Sequence, residues 1–184
     1  MKTSAATSSV SATAPTPAAT TTTWAPRHLL VCVDVKDESG CALAHGLVDR
    51  AAVIAAAFGA RMTVFSVVPP LSTPAVPPAG WESTAYKTLL EAAVLMSDSW
   101  RRVVITLAER AQRSGVKVEH QVMEADGRAA DLIVDAAVQS GVDLIVMASH
   151  SRRGLAHALL GSVAERTAAR SPVPVLIVPR AAIH

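Results

Sequence analysis

The pair Gly161-Ser162 lies where a polar stretch of the chain gives way to a helical pattern. A helix that begins there presents backbone N–H groups without intrahelical partners, and Ser162 adds a hydroxyl donor. Arg152 and Arg153 precede the pair, and guanidinium groups form charge-assisted hydrogen bonds to phosphate oxygens. These residue types in this order indicate an anion site. Two alternatives stay open: Ser162 caps a helix that binds nothing, and the arginines form a solvated basic surface.

Asp34 is the second group that could contact a ligand. It ends the apolar run 28–33, while the run 142–148 leads into the polar stretch that contains the arginines. Continuous apolar runs of this length are typical of strands covered on both faces in parallel α/β sheets. These sheets bind ligands beyond the carboxyl ends of their strands. Asp34 is therefore a candidate hydrogen-bond acceptor for a ligand, with a solvated residue that caps the next turn as the alternative.

Apolar runs and helical patterns alternate along the chain from Arg27 onward. Strands are predicted at 28–33, 61–68, 116–124, 142–148 and 173–178, and helices at 40–58, 83–113, from the turn 125–128 to 139, and 162–170. Polar alternation in the third strand favours a sheet edge, and Asp126 is a candidate cap for the third helix. The prolines of the segment 69–80 predict a loop. This order implies a parallel sheet with helices on both faces and right-handed crossovers, but it leaves the strand order open.

The composition limits the classes of partner. A chain of 184 residues with 51% hydrophobic residues suits one domain with a substantial core. Aromatic residues amount to 3% and the formal net charge is +2, which argues against a nucleic-acid partner. Uninterrupted apolar runs are shorter than about 18 residues, so no membrane partner is expected. His150 and His157 lack neighbours at metal-ligand spacing, so no metal site is expected.

The first 26 residues differ in composition from the rest of the chain. They are rich in Ala, Ser, Thr and Pro, and Lys2 is their one charged side chain. Because such a segment buries too little to offset its ordering entropy, residues 1–26 are predicted to be a disordered extension, and residues 27–184 the folded domain. The segment lacks the apolar centre of a secretory signal. Cys32 and Cys41 have no CxxC or zinc spacing, and packed free thiols suit a cytoplasmic protein.

Five segments between Arg27 and Pro179 are similar to those of one known family. They are the first strand with its Asp, part of the first helix, the strand before the polar loop, the last helix start and the last strand: His28–Asp34, Cys41–Leu43, Val142–His150, Leu159–Val163 and Pro172–Pro179. On these segments the chain resembles the universal stress protein family. The resemblance implies a Rossmann-like α/β fold, with a five-stranded parallel sheet in the order 3-2-1-4-5 and helices on both faces. In that order Asp34 and the loop 148–154 would face each other at the topological switch point.

The resemblance also implies a cofactor, ATP or another adenine nucleotide, with magnesium in the case of ATP. ATP-binding members of the family have Gly, two residues, Gly, nine residues and then Gly-Ser or Gly-Thr. This chain keeps the spacing with Ala148, Ser151 and Gly161-Ser162, but the first two glycines are replaced. If position 151 needs a left-handed conformation, Ser151 costs about 1 kcal/mol or a little more, which would weaken phosphate binding by up to roughly tenfold. Contacts from Arg152 and Arg153 to phosphates would offset this loss.

The nucleotide contacts implied by the resemblance involve residues from four parts of the chain: Asp34, Val67, Met147, Ala148, Ser151, Arg153, Gly161, Ser162 and Val163. Val67 and Met147 would line the base pocket, with core packing as the alternative. No GxxxxGK[ST], GxSxG or HExxH motif is present. The expected function is a nucleotide-binding signalling or stress-response module, not a dedicated enzyme, although slow ATP hydrolysis is compatible with it. The alternative is a nucleotide-independent interaction module, motivated by the replaced glycines.

The resemblance finally implies a homodimer, and it names no other protein partner. The last strand, Val173–Val178, is at a sheet edge in the 3-2-1-4-5 order, and an apolar edge must be covered or paired. Pairing with its symmetry mate in a C2 dimer would cover this edge.

Overall fold

The computed structural model describes residues 24–36, 38–70, 84–149 and 161–183. Strands and helices alternate along these residues: β1 His28–Cys32, α1 Glu38–Phe58, β2 Arg61–Val68, α2 Thr84–Gln112, β3 Val118–Glu124, α3 Ala129–Gln139, β4 Leu144–Ala148, α4 Ser162–Arg170, β5 Val175–Val178 and a 3₁₀-helix, Arg180–Ala182. The predicted order of elements is confirmed, and each predicted boundary lies within two residues of the observed one.

The five strands form one parallel sheet in the order β3-β2-β1-β4-β5. This is the order that the family resemblance implied. β1 is the central strand, and its Cys32 is opposite Phe65 of β2 and Met147 of β4. β3 and β5 are the two edge strands, so the polar alternation in β3 correctly indicated an edge.

Helices cover both faces of the sheet, as predicted. Leu29 and Val31 of β1 point into a core cluster that also contains residues of α1 and α2. Leu30, between them, belongs to a second cluster with Ile133 of α3 and Ala164 of α4. Because successive side chains of a strand point to opposite faces, both faces of β1 are buried, which explains its uninterrupted apolar sequence.

Of the two helices that pack against Leu29 and Val31, α1 is more apolar than α2. By length and composition alone, its segment Gly40–Phe58 is apolar enough to cross a membrane, with a mean hydropathy of 1.5. The count of uninterrupted apolar runs did not detect this segment, because Asp49 and Arg50 interrupt it. Leu43 and Leu47 are buried in the core cluster beneath the helix. Packing on the sheet therefore accounts for the buried apolar residues of α1, whereas Val53 and Phe58 of the same helix are exposed.

Three local predictions differ from the structure. Asp126 does not cap α3, because the N-cap position is occupied by Arg128 and has no side-chain cap hydrogen bond. Ser162 does not cap α4 either, since Gly161 is the N-cap and Ser162 is the first helical residue. β5 begins after Pro174 and not at residue 173, because proline has no N–H for the ladder; its carbonyl accepts from Ile145 at 3.0 Å.

Two predicted segments fall largely outside the described residues. They are the extension 1–26, of which the structure describes Trp24 to Pro26, and the loop 69–80, of which it describes Pro69 and Pro70. The division of the chain into a disordered extension and a domain therefore stays a prediction.

Hydrogen bonds of polar groups connect the amino-terminal end of β1 to neighbouring segments. The Asp143 carboxylate accepts from the backbone N–H groups of Arg27 and His28 at 2.9 and 3.0 Å. The buried His28 ring contacts the Thr63 hydroxyl through Nε2 at 2.8 Å and the Ser140 carbonyl through Nδ1 at 3.2 Å. These contacts fix the strand end opposite the candidate site.

Candidate functional site

The carboxyl ends of β1 and β4 are neighbours at the topological switch point of the sheet. Val33 extends β1 by one contact with β2, because its N–H donates to the Phe65 carbonyl at 2.9 Å. Asp34 directly follows Val33. Ser149 directly follows the adjacent β4, at the same end of the sheet. The structure thus places Asp34 and the start of the loop 148–154, Ala148 and Ser149, at the same end of adjacent strands, in the crevice where open α/β sheets bind ligands. The rest of that loop lies outside the described residues.

Asp34 makes local contacts with Lys36. Its Oδ1 accepts from the Lys36 N–H at 3.2 Å, and its Oδ2 lies 3.4 Å from the Lys36 Nζ. The alternative prediction, that Asp34 closes the following turn, therefore describes a contact that exists. A carboxylate offers about four acceptor positions, so accepting from Lys36 does not by itself exclude a ligand.

Gly40 and Ser66 support the loop that carries Asp34. A Cβ at Gly40 would lie 2.6 Å from the Asp34 carbonyl oxygen, so only glycine lets α1 approach this loop so closely. The buried Ser66 hydroxyl donates to the Val33 carbonyl at 3.0 Å. Sequence analysis missed both residues. A glycine in the first turn of a helix and a serine inside an apolar strand were the available signals, but neither pattern specifies its contact partner.

Apolar side chains cover one face of the sheet near the carboxyl ends of β1, β2 and β4. Met147 is buried, and Cys32 and Val67 are partly buried against the same core cluster. Core packing therefore describes Met147 well, whereas Val67 keeps part of its surface open at the strand end. Burial raises the pKa of the Cys32 thiol, which keeps it protonated and unreactive. Neither Cys32 nor Cys41 forms a disulfide, and both are partly buried, as predicted for packed thiols.

α4 begins with an exposed first turn. Gly161 has φ 84° and ψ 142°, a backbone conformation that L-residues with a side chain rarely adopt. Its carbonyl accepts from the Glu165 N–H at 2.9 Å, which starts the helix. Helix geometry leaves the N–H groups of Ser162 and Val163 without intrahelical partners, and both residues are exposed. Together with the helix dipole, this turn can bind an anion.

Ala148 is accommodated without backbone strain where the family motif has its first glycine. It is the last residue of β4, opposite Val178 of β5. Among the described residues, none other than glycine has positive φ. The methyl of Ala148 packs against the first core cluster. Loss of this glycine therefore leaves the strand end intact.

Several predicted groups lie outside the described residues: His150, Ser151, Arg152, Arg153 and His157. Their contribution to the site stays a prediction. Within the described ranges, no group of three or more His, Cys, Asp or Glu side chains could hold a metal ion. The described residues therefore comprise an exposed helix start at α4, the Asp34 carboxylate after β1 and apolar side chains near the ends of β1, β2 and β4.

Comparison with known proteins identifies a family model that matches nearly the whole folded region and curated relatives that match part of it. The model of the universal stress protein family matches residues 26–179. Universal stress protein MJ0531 of Methanocaldococcus jannaschii is 35% identical over 86 residues, which are 47% of this chain and 49% of the relative. YxiE of Bacillus subtilis is 36% identical over 77 residues, 42% of this chain and 51% of the relative. These alignments span about half the length of the curated relatives.

Solved structures of the same family share the fold. A family member from Burkholderia pseudomallei is 28% identical, with 83% of this chain and 95% of that chain covered and a TM-score of 0.58. A universal stress protein in complex with cAMP is 24% identical, with 85% and 99% covered and a TM-score of 0.56. One from Archaeoglobus fulgidus in complex with dAMP is 18% identical, with 82% and 96% covered and a TM-score of 0.51. The chain belongs to the universal stress protein family.

Proposed function

We propose that the protein binds an adenine nucleotide, with ATP as the favoured ligand, in the crevice between the carboxyl ends of β1 and β4. The observation that carries this proposal is the first turn of α4, where Gly161 in a glycine-specific conformation precedes exposed helix N–H groups. Two solved family members hold cAMP and dAMP, which supports an adenine nucleotide over a simple anion.

Each part of the crevice has a role in this proposal. The phosphates accept from the N–H groups of Ser162 and Val163, stabilised by the helix dipole. Asp34 accepts from a ribose or adenine donor, and Val67 with Met147 contacts the base. Ser151 and Arg153 would extend the phosphate contacts. In the case of ATP, magnesium would be held mainly by the phosphates themselves.

A substitution at Ser162 tests the phosphate position. Ser162→Asp places a carboxylate in the first turn of α4, where the helix dipole favours it, so folding is retained or improved. The same carboxylate repels a bound phosphate. Isothermal titration of nucleotide-stripped protein with ATP and magnesium is expected to give a Kd on the order of 1 to 50 micromolar, weakened at least about tenfold in Ser162→Asp.

Ser162→Asn is the matched control, because it has nearly the same shape without the charge. It is expected to bind ATP within about threefold of the wild type. Equal affinity of the Asp and Asn variants would contradict the phosphate position. A well-folded wild type that shows no heat at millimolar ATP would contradict nucleotide binding itself.

The second candidate function is a nucleotide-independent interaction module that acts as a dimer. The replaced glycines at Ala148 and Ser151 motivate the nucleotide independence, and the dimer is supported by β5, an edge strand with the sequence Val-Leu-Ile-Val, in which Leu176 is 37% exposed. Pairing of β5 with its symmetry mate would cover this edge. The dimer is compatible with nucleotide binding, so the two proposals differ in whether ligand occupancy changes what the dimer contacts. In both, the protein is a binding module and not a dedicated enzyme.

A further inference from the structure

The residues after β5 fold back onto the domain. We call Arg180–Ile183 the C-terminal tail; it comprises the 3₁₀-helix and Ile183. The Ala182 N–H donates to the Pro179 carbonyl at 2.8 Å, and the Ile183 N–H donates to the Arg180 carbonyl at 3.0 Å. These bonds turn the chain away from the sheet edge and toward α1.

Ile183 is anchored in the core. Its side chain is 8% exposed and belongs to the same cluster as Leu43 and Leu47 of α1. A Cβ at Gly46 would lie 2.5 Å from Ile183 Cγ2 and 2.6 Å from its carbonyl oxygen. Glycine inside a helix costs about 1 kcal/mol relative to alanine. The close contact with Ile183 explains why glycine occupies position 46 in the middle of α1.

The other end of the tail holds Ser149, the first residue after β4. The Arg180 N–H donates to Ser149 Oγ at 3.3 Å. The Ser149 N–H donates in turn to the Val178 carbonyl, the last of β5, at 2.9 Å. The side chain of Ser149 is therefore bonded to the tail, and its backbone is bonded to the end of β5, from which the tail continues.

We propose that the C-terminal tail positions Ser149 and thereby sets the nucleotide affinity of the crevice. This inference rests on the proposed function, because the chain from Ser149 to Gly161 connects β4 with the helix turn assigned to the phosphates. Ile183 anchors the tail, Gly46 provides the space for it, and Ser149 is the residue that it holds. These three are positioning residues, since none is assigned a contact with the nucleotide.

The test compares Ile183→Ala with Val116→Ala in the full chain. Both side chains lie in the same core cluster with similar exposure, 8% and 7%, but Val116 precedes β3 at the opposite edge of the sheet. In nucleotide-free protein, amide exchange of Ser149 measured by NMR is expected to be at least about tenfold faster in Ile183→Ala and unchanged in Val116→Ala. Affinity for ATP is expected to fall about fivefold or more in Ile183→Ala alone.

Ser149→Ala tests the other end of the tail, because it removes the acceptor without changing the core. Amide exchange of Arg180 is expected to accelerate and ATP affinity to fall, and Ser149→Thr, which keeps the hydroxyl, is expected to restore both. Unchanged Ser149 exchange in Ile183→Ala, or faster exchange with unaltered ATP affinity, would overturn the inference. If the wild type binds no ATP, the proposed function fails, while the exchange rates still decide whether the tail holds Ser149.

Discussion

His28 is the residue whose protonation is most closely tied to the fold. Its Nδ1 faces the Ser140 carbonyl, which can only accept, so Nδ1 carries the proton and Nε2 accepts from the Thr63 hydroxyl. Burial and the nearby Arg61 charge lower the pKa of His28 from its ordinary 6.5, against weaker opposing effects of Ser140, Glu119 and Asp143. The native state therefore favours the neutral imidazole.

This lowered pKa predicts that the free energy of unfolding decreases in mild acid. The unfolded chain binds a proton at His28 near pH 6.5, whereas the native state binds it only at lower pH, so stability rises with pH across this window. Urea denaturation at about pH 7.5 and about pH 5.5 measures the loss. The loss is expected to shrink in His28→Gln, which cannot titrate. An equal decrease in both proteins would show that His28 is not responsible.

Single residues also show where sequence reasoning works at the candidate site. Asp34 could be placed at the crevice because it directly follows an apolar strand, and Gly161 because it precedes a helical pattern. Ser162 was given as a possible cap, but a cap depends on the backbone angles of one residue, and Gly161 takes that position with φ 84°. Gly40 was missed because its importance comes from the Asp34 carbonyl above it, a contact that no local pattern encodes.

At the scale of elements, α4 contains an uncompensated polar group. Thr167 is 0% exposed, and its Oγ1 is the buried side-chain oxygen without a hydrogen-bond partner among the described residues. Leaving a buried hydroxyl unsatisfied costs about 1–3 kcal/mol. Thr167→Val replaces the hydroxyl with a methyl of similar size and is expected to raise the free energy of unfolding by about 1 kcal/mol.

Thr167→Ser is the control for this prediction, because it keeps the hydroxyl and removes the methyl. It is expected to destabilise the protein by about 1 kcal/mol through the cavity that it creates. Urea denaturation of the three proteins measures both changes. A destabilised Thr167→Val would show that the hydroxyl has a bonding partner in solution, such as a buried water.

The strands and helices could be predicted because apolar residues recur with different periods in the two kinds of element. Strands buried on both faces give continuous apolar runs, whereas α1 and α2 repeat apolar residues every three or four positions. The C-terminal tail has neither period, and its three residues of 3₁₀-helix are too short for a pattern. Its contact with Gly46 joins residues 137 positions apart, so it could be recognised only in three dimensions.

At the scale of the whole molecule, the family resemblance supplied what the alternation of elements left open. Alternation predicted a parallel α/β sheet, and the resemblance added the order 3-2-1-4-5, which the structure confirms. That order makes β5 an edge strand and β1 and β4 neighbours. Both proposals therefore depend on this topology: the nucleotide is placed between β1 and β4, and the second copy at β5.

The proposed dimer predicts that charge at the exposed edge separates the subunits. Leu176→Lys would place two like charges near each other across a two-fold β5 pair, which is unfavourable. Light scattering at micromolar concentration is expected to show a dimer for the wild type and a monomer for Leu176→Lys. Val53→Lys is the control, because Val53 is 71% exposed on α1, and it should remain dimeric. A monomeric wild type, or a dimeric Leu176→Lys, would contradict the β5 interface.

An NMR titration of the wild-type protein with ATP and magnesium tests nucleotide binding in this crevice most directly. The largest amide shifts are expected at Ser162 and Val163, with further shifts at Asp34 and Val67, and saturation at ATP concentrations on the order of tens of micromolar. Unshifted amides at millimolar ATP, or shifts confined to the amino edge of the sheet around His28, would contradict it.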